Sequence, residues 1–464
     1  MTGTAPRTTG AITWRPSAGG WRETRSLTTY DTATHTGRVT QVEDLGDVST
    51  ASDDTCTRTY YADNKVERMT AHDGTTATYQ VTGTTGYDAF GRPVWQKDAK
   101  ANETKTAYTE GNGLLTRTAV TNAAGHVTTT DYNPARGASI GQSDPNGRRT
   151  DLAHDAIGRL TSVWLPDRDK SQTPSIKYSY LVRTDKPVAI KTEKVEADGS
   201  YGVEYELFDS LLRGRQKQTE GPGGTRMVAD AWYDGAGKVT KTNAAYRAAG
   251  VPSDELLIAG NGAVGAQTRT DYGGLGRPTA AIALHAGTEQ WRTTTRYDGE
   301  LTHSDPPAGG IATTSVTDAG GRTTALRHYH GDRPDAELGY DETKYSYTPN
   351  GQLKTVTDDK SNVWSYEYDQ LGRKIKSIDP DAGTSETHYD ALDRVDWTID
   401  GNGKKVSTQY DSLSRPTFTW EGEPTTGTKL TETRYDKADW LGQAWAYAVC
   451  ERDPVHRLRG DLDG

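Results

Sequence analysis

The stretch that decides the fold contains four copies of one short motif: Tyr347-Thr-Pro-Asn-Gly351, Tyr368-Asp-Gln-Leu-Gly372-Arg373, Tyr389-Asp-Ala-Leu-Asp393-Arg394 and Tyr410-Asp-Ser-Leu-Ser414-Arg415. The four tyrosines follow one another at intervals of 21 residues. A fixed period of this length is typical of a repeat protein, in which each repeat is one small structural unit.

The same motif returns along most of the 464-residue chain. Clear copies begin at Tyr87, His154, Tyr233 and Tyr272, and looser copies begin at Tyr30, Tyr132, Phe208, Tyr297 and Tyr435. The residues that define the repeat are Tyr87, Gly91, Arg92, Gly158, Arg159, Tyr233, Gly237, Tyr272, Gly276, Arg277, Tyr347, Gly351, Tyr368, Gly372, Arg373, Tyr389, Arg394, Tyr410 and Arg415.

Each unit reads as a β-hairpin. Eleven residues after the tyrosine, an acid such as Asp98, Asp358, Asp379 or Asp400 marks a second turn. Between the turns, apolar and polar residues alternate with a period of two, and Thr and Tyr favour strands. One hairpin is marginal alone, so the sequence predicts an all-β fold in which tandem hairpins of about 21 residues form one continuous coiled sheet.

Two motif positions have predicted structural roles. A glycine four residues after the tyrosine tolerates a positive φ in the turn. The Arg or Lys that follows can lie over an aromatic ring or pair with the acid of the turn.

Composition excludes several classes of protein. The net charge is −10 with both signs interleaved, which argues against a nucleic-acid-binding surface. The sequence contains no run of about 18 apolar residues, which is the length needed to span a bilayer. The first 20 residues lack the apolar core of a signal peptide. Cys56 and Cys450 form no CxxC pair, so neither a zinc ribbon nor a disulfide framework is expected.

The repeated Tyr-Asp-x-x-Gly-Arg motif resembles the RHS or YD-repeat family. That resemblance implies a long β-sheet coiled into a hollow shell, as in bacterial RHS proteins, the shell component of Tc toxins and the teneurins. In the bacterial toxins the shell encloses a toxic polypeptide, the proteins are secreted or displayed at the cell surface, and YD repeats have been suggested to bind carbohydrate.

The predicted organisation has three parts. Residues 1–26 form an N-terminal segment that is at most a partial repeat, residues 27–440 form the repeat array, and residues 441–464 form a tail without repeat register. The sequence contains no match to the family's core protease and toxin domains. A truncated or frame-disrupted product is therefore expected, and such a fragment should associate through its open sheet edges.

Several residue clusters resemble catalytic or ligand sites but are interpreted as ordinary repeat elements. Asp144-Pro-Asn-Gly147 matches the family's self-cleavage signature in the middle of the array, and Gly260-Asn-Gly-Ala-Val-Gly265 lacks the helix that a dinucleotide fingerprint needs. His328 and His330, near Asp332 and Asp335, form a conceivable metal site, and Asp53-Asp54 and Asp358-Asp359 are adjacent acids. No catalytic, cofactor-binding or metal-binding residue is predicted.

The tryptophans suggest a sharper hypothesis, because aromatic faces beside polar groups can stack on sugar rings. The candidate stacking residues are Trp364, Trp397 and Trp420, although packing along the sheet is the simpler interpretation. The leading prediction is thus a non-catalytic shell protein whose partner is an enclosed toxin. The alternative is an extracellular carbohydrate-binding or adhesion module, and neither nucleic-acid binding nor membrane insertion is expected.

Overall fold

A computed structural model describes residues 8–17, 20–30, 38–48, 54–72 and 76–436. Within these ranges, 34 strands form one antiparallel sheet in which each strand pairs with the next along the chain. The two ends of the sheet do not pair with each other, so it is open. The predicted all-β repeat fold is confirmed.

The strands follow chain order. They are β1 Thr8–Ser17, β2 Gly20–Tyr30, β3 Val39–Asp47, β4 Thr55–Tyr60, β5 Lys65–His72, β6 Ala77–Tyr87, β7 Pro93–Asp98, β8 Glu103–Gly111, β9 Leu114–Thr121, β10 Val127–Tyr132, β11 Ser139–Ser143, β12 Arg149–His154, β13 Leu160–Trp164, β14 Ile176–Leu181, β15 Val188–Val195, β16 Tyr201–Phe208 and β17 Gly214–Gly221. The second half comprises β18 Thr225–Tyr233, β19 Val239–Ala249, β20 Gln267–Tyr272, β21 Pro278–His285, β22 Thr288–Asp298, β23 Leu301–Asp305, β24 Thr313–Thr317, β25 Thr323–Tyr329, β26 Tyr340–Tyr347, β27 Leu353–Thr357, β28 Val363–Tyr368, β29 Lys374–Asp379, β30 Gly383–Tyr389, β31 Val395–Ile399, β32 Lys405–Tyr410, β33 Pro416–Glu421 and β34 Thr428–Glu432. Short 3₁₀ turns occupy Asn261–Ala263 and Ala336–Leu338.

A β-bulge accompanies the motif tyrosine in most units. In the unit at Tyr410, Gln409 pairs with Phe418 but Tyr410 pairs with Pro416, which leaves Thr417 as the extra residue. The Thr417 hydroxyl donates to the Gln409 carbonyl at 3.2 Å. The bulge increases the local twist of the strand pair, so the repeat builds a regular twist into the sheet.

The register divides the tryptophans between the two faces of the sheet. Trp397 pairs with Ser407, which pairs with Trp420, and this face is called face 1. Trp364 and Tyr366 lie on the opposite face, face 2. The pairing register from strand to strand places them on the same face as Thr398. Because Thr398 is adjacent to Trp397 in its strand, its side chain points to the face opposite that of Trp397. The three candidate stacking tryptophans therefore do not share one face of the sheet.

In the part of the chain that the structure describes, the fully buried side chains of the strands lie in small areas of face 1. The largest fully buried side chains there include Leu207, Val228 and Ile282. Val228 packs with Tyr246 and Val264, where residues 250–266 leave the sheet and cross its surface. The sheet is stabilised mainly by pairing and polar contacts rather than by a thick apolar core.

The predicted domain boundaries remain predictions. Residues 8–17 form β1 and residues 20–26 belong to β2 of the same sheet. The predicted tail, 441–464, lies outside the described residues, as do Asp53 and Cys450.

Candidate functional site

Where a repeat has an aspartate after its tyrosine position, that aspartate organises the turn. The Asp88 carboxylate accepts the backbone N–H groups of Phe90 and Arg92 at 2.9 and 3.0 Å and the Arg92 Nε at 2.8 Å. These bonds hold the pKa of Asp88 below its usual range. The backbone N–H groups contribute most to this shift, and the Arg92 guanidinium adds to it. The same arrangement recurs at Asp155, Asp209, Asp318, Asp369, Asp390 and Asp411.

The fourth residue after the tyrosine is left-handed, as predicted from its glycines. Gly91 has φ 76° and Gly372 has φ 78°. Where the chain has Asp393, Ser414 or Leu212 at this position, those residues also adopt positive φ, at 61°, 64° and 59°. The turn geometry is thus set by the repeat even where the residue does not favour it.

The arginine and the tyrosine link neighbouring units. The Arg394 guanidinium lies 4.4 Å from the centre of the Tyr410 ring of the next unit. The Tyr410 hydroxyl donates at 2.7 Å to the carbonyl of Val395, the residue after that arginine. Matching pairs of ring and carbonyl contacts occur at Arg159 and Tyr180, Arg213 and Tyr233, Arg277 and Tyr297, Arg322 and Tyr347, Arg373 and Tyr389, and Arg415 and Tyr435.

The sheet also winds back onto itself, and motif turns line the contact. Lys100, in the second turn of an early unit, donates at 2.7 Å to Asp390 in the motif turn of a unit 290 residues later. Burial opposes ionisation of Asp390, but bonds from Arg394 and Lys100 outweigh it and hold its pKa well below the usual range. Its side chain is only 7% exposed.

The junction of residues 54–126 with residues 369–436 is called the coil seam. Two further contacts belong to it. Arg68 donates two bonds of 2.9 Å to Asp393, which also accepts from Arg373 at 2.7 Å. The Gln370 amide donates to the Asp54 carbonyl at 2.6 Å across 316 positions. The seam places the motif turns of a later coil against an earlier one.

Each predicted stacking tryptophan already has protein partners. The Trp364 Nε1 donates to Asp379 at 3.1 Å on face 2. On face 1, Trp397 stacks on His388 with ring centres 5.1 Å apart, and Trp420 donates to Gln409 at 3.0 Å. Sugar stacking by these residues remains a prediction.

The other sequence candidates lie in turns and connecting segments of the sheet. Asp144 accepts the N–H groups of Asn146 and Arg148, as the acids of other turns do. Residues 260–265 contain a 3₁₀ turn within the segment that leaves the sheet, and so are not an ordinary repeat element; the strand β20 follows them. His330 contacts Asp341 at 3.0 Å, and the described residues contain no group of three or more potential metal ligands.

Sequence reasoning missed three features. A further motif copy lies at Thr317-Asp-Ala-Gly-Gly321-Arg322, where threonine replaces the tyrosine, although its Gly-Arg pair was a visible signal. The seam brings together residues about 300 positions apart, and a single sequence contains no pattern that predicts such a contact. The crossing segment at 250–266 was signalled by the 39-residue interval between Tyr233 and Tyr272.

The family comparison agrees with the motif. The RHS Repeat family model matches residues 347–384, within the stretch of four copies. The fold matches the crystal structure of TcdB2-TccC3 with a TM-score of 0.72 at 15% identity, covering 89% of this chain. Residues 347–384 therefore contain an RHS repeat, and the chain shares the fold of TcdB2-TccC3.

Two other solved structures give the same result. The Photorhabdus luminescens Tc holotoxin pore matches with a TM-score of 0.71 at 14% identity, and TcdB2-TccC3-Cdc42 gives the same two values; each covers 89% of this chain. The chain spans 28% of the TcdB2-TccC3 chain and 30% of the other two. No curated protein matches the RHS-repeat chain by sequence.

The described part of the RHS-repeat chain contains no helix with the length and apolar character needed to cross a bilayer.

Proposed function

We propose that this chain forms part of the wall of an RHS shell that encloses a toxic polypeptide, and that it acts by containment without catalysing a reaction. The observation that carries the proposal is the coil seam, in which the sheet contacts itself across 290 to 325 residues. A sheet that winds back on itself encloses space and protects the edges between its coils. In such a system the protein is expected to be secreted or displayed at the cell surface.

The geometry supports containment over turnover. The acids with lowered pKa values, such as Asp88 and Asp390, are held by arginines and backbone N–H groups in structural turns. Catalytic groups instead cluster around a space where a substrate can sit. The charged side chains of the repeat therefore hold its turns and join neighbouring units.

Protection of an attached chain tests containment. An unfolded reporter fused after Gly464 is expected to be cleaved by a protease at least about fivefold more slowly than the free reporter. The control is the double variant Lys100→Glu with Arg68→Glu. It places negative charges against the aspartates of the seam, so the seam should open and fast cleavage should return. Equal cleavage of the free and fused reporter would contradict containment by this chain.

A glycan-binding module is the second candidate, favoured by the tryptophans on face 1. Lys405 lies 4.6 Å from the Trp397 ring centre, and an aromatic ring beside polar groups is a usual sugar platform. Calorimetry with cell-wall polysaccharide tests this candidate. Binding lost in Trp397→Ala but kept in Trp364→Ala, on face 2, would support it, whereas no binding heat would exclude it for that polysaccharide.

A further inference from the structure

The turns of the sheet lie along two opposite rims. Because successive strands are antiparallel, the turns that follow even-numbered strands lie on one rim and the turns that follow odd-numbered strands lie on the other. The motif turns, such as residues 88–92 between β6 and β7, form the upper rim. The second turns, such as residues 98–102 between β7 and β8, form the lower rim. In the coil seam, upper-rim turns of late units therefore meet lower-rim turns of early units.

The seam shows what covers an upper-rim turn. The apolar residue three positions after the tyrosine is half-buried in the seam units, at Leu371, Leu392 and Leu413. Leu413 lies in a groove whose lining includes Asn102 and Ala123 of the lower rim. Lys100 of the same rim adds its contact with Asp390 at 2.7 Å. Docking thus joins an apolar side chain and a turn carboxylate to a lysine of the opposite rim.

Four equivalent apolar residues outside the seam are exposed. They are Phe90 and Ile157, each 76% exposed, Leu211 at 69% and Leu275 at 84%. Each stands in an upper-rim turn, three positions after the first residue of its motif. The position is therefore half-buried where a coil covers it and exposed at these four turns. Covering them would remove apolar surface from water, which is favourable.

The lower rim contains a second copy of the lysine turn. In the turns at 98–102 and 358–362, the first aspartate accepts the N–H groups of the third and fifth residues at 2.8–3.0 Å. It also accepts the side-chain amide of the fifth residue, at 2.8 Å in one turn and 2.7 Å in the other. The fourth residue has φ of 62° and 68°, respectively. Lys360 thus extends from the same backbone as Lys100, but it is exposed and forms no salt bridge with any residue that the structure describes.

We propose that the lower rim at 358–362 docks the upper rim of a second copy of this chain, in the way that the two halves of the coil seam dock. Lys360 pairs with an upper-rim aspartate of the second copy, and the exposed apolar residues of that rim pack against lower-rim turns. Because one chain carries both halves on opposite rims, the contact is head to tail and can extend to further copies. The inference goes beyond containment by one chain, because it concerns contact between copies.

Sedimentation velocity of the full chain over a range of concentrations tests the lower rim. The unsubstituted chain is expected to form species larger than the monomer as its concentration rises. Lys360→Glu should weaken this association about tenfold or more, because it sets an acid against an acid. The matched control is Lys344→Glu, the same charge change at a side chain that is 67% exposed in the middle of β26, and it should leave association unchanged.

A second variant tests the upper rim and the direction of the contact. It combines Phe90→Ser, Ile157→Ser, Leu211→Ser and Leu275→Ser, all at exposed positions, so the fold should be kept. This variant and Lys360→Glu should each be monomeric where the unsubstituted chain associates. Mixed in equal amounts, they should form a dimer and nothing larger, because one intact contact remains between them.

Three results would overturn the proposal: an unsubstituted chain that stays monomeric at every concentration, equal association of Lys360→Glu and the unsubstituted chain, or a mixture of the two variants without a dimer. Equal association would place the contact at the terminal strands β1 and β34 instead. If the combined serine variant does not fold, Ile157→Ser with Leu275→Ser takes its place. A failure of reporter protection leaves the sedimentation results unchanged, so the two proposals fail separately.

Discussion

At the scale of single residues, a tyrosine hydroxyl and an arginine connect each repeat to the preceding one. The Tyr410 hydroxyl satisfies the Val395 carbonyl while the ring carries the Arg394 guanidinium. Burial raises the pKa of Tyr410, so the hydroxyl stays protonated and can donate. The link therefore depends on tyrosine rather than on any aromatic ring.

Removing this hydroxyl tests the link. We expect Tyr410→Phe to lower the free energy of unfolding by about 1 kcal/mol, because the Val395 carbonyl loses its donor. Tyr87→Phe is the control, since Tyr87 is 50% exposed and should change stability by much less. Urea unfolding measures both, and equal effects would show that the hydroxyl bond does not matter.

The motif residues were predictable because their roles are local. The acid, glycine and arginine act within six consecutive positions, so a single copy such as Tyr368–Arg373 already contains the turn. The choice of the Tyr410 ring as the partner of Arg394 was not predictable, because it depends on how successive hairpins twist. From the sequence, either an aromatic ring or the acid of the turn was expected as the partner of Arg394, and the structure contains both contacts.

At the scale of the element, each hairpin has the same turn even where its sequence fits poorly. Leu212 occupies the left-handed position with φ 59° and a 67% exposed side chain. A bulky side chain in this conformation costs about 1–2 kcal/mol. The neighbouring hairpins impose the turn on this copy.

Glycine at this position should relieve the cost. We expect Leu212→Gly to stabilise the protein by about 0.5–1 kcal/mol, less than the full strain because glycine is more flexible when unfolded. Leu211→Gly, in the same turn at a residue that is 69% exposed without positive φ, should be neutral or destabilising. Thermal unfolding compares them, and a destabilised Leu212→Gly would contradict the strain.

The faces of the sheet were the least predictable property of the elements. Period-two alternation gives each strand two faces, but the register between strands decides which faces join. Because of the bulges at Tyr368 and Tyr389, alternation within Trp364–Tyr368 could not be extended to Trp397. The structure consequently separates Trp364 from Trp397 and Trp420.

At the scale of the whole molecule, the seam joins an early coil to a later one through charged turns. The coiled sheet was predictable from the period and the family resemblance. The pairing of Lys100 with Asp390 was not, since it depends on how many residues complete one coil.

The seam should weaken in acid. The pKa of Asp390 is lowered in the folded protein, so its stabilising effect is complete above the unfolded value of about 3.9 and is lost as the pH falls through the folded value. Small-angle scattering should show the particle expanding below about pH 4. Lys100→Met should shift that expansion to higher pH, and an unshifted transition would contradict the role of Lys100.

The most direct test of the coiled architecture is carbodiimide cross-linking, which joins an amine and a carboxylate in contact. We expect an amide between Lys100 and Asp390, which lie 2.7 Å apart in space and 290 positions apart in the chain. Mass spectrometry should identify this cross-link, and it should be lost in Lys100→Arg or in urea. The local pair Lys405 and Glu423, at 2.6 Å, serves as the positive control. A sample in which Lys405 cross-links to Glu423 but Lys100 never does so to Asp390 would show that the sheet does not coil back on itself.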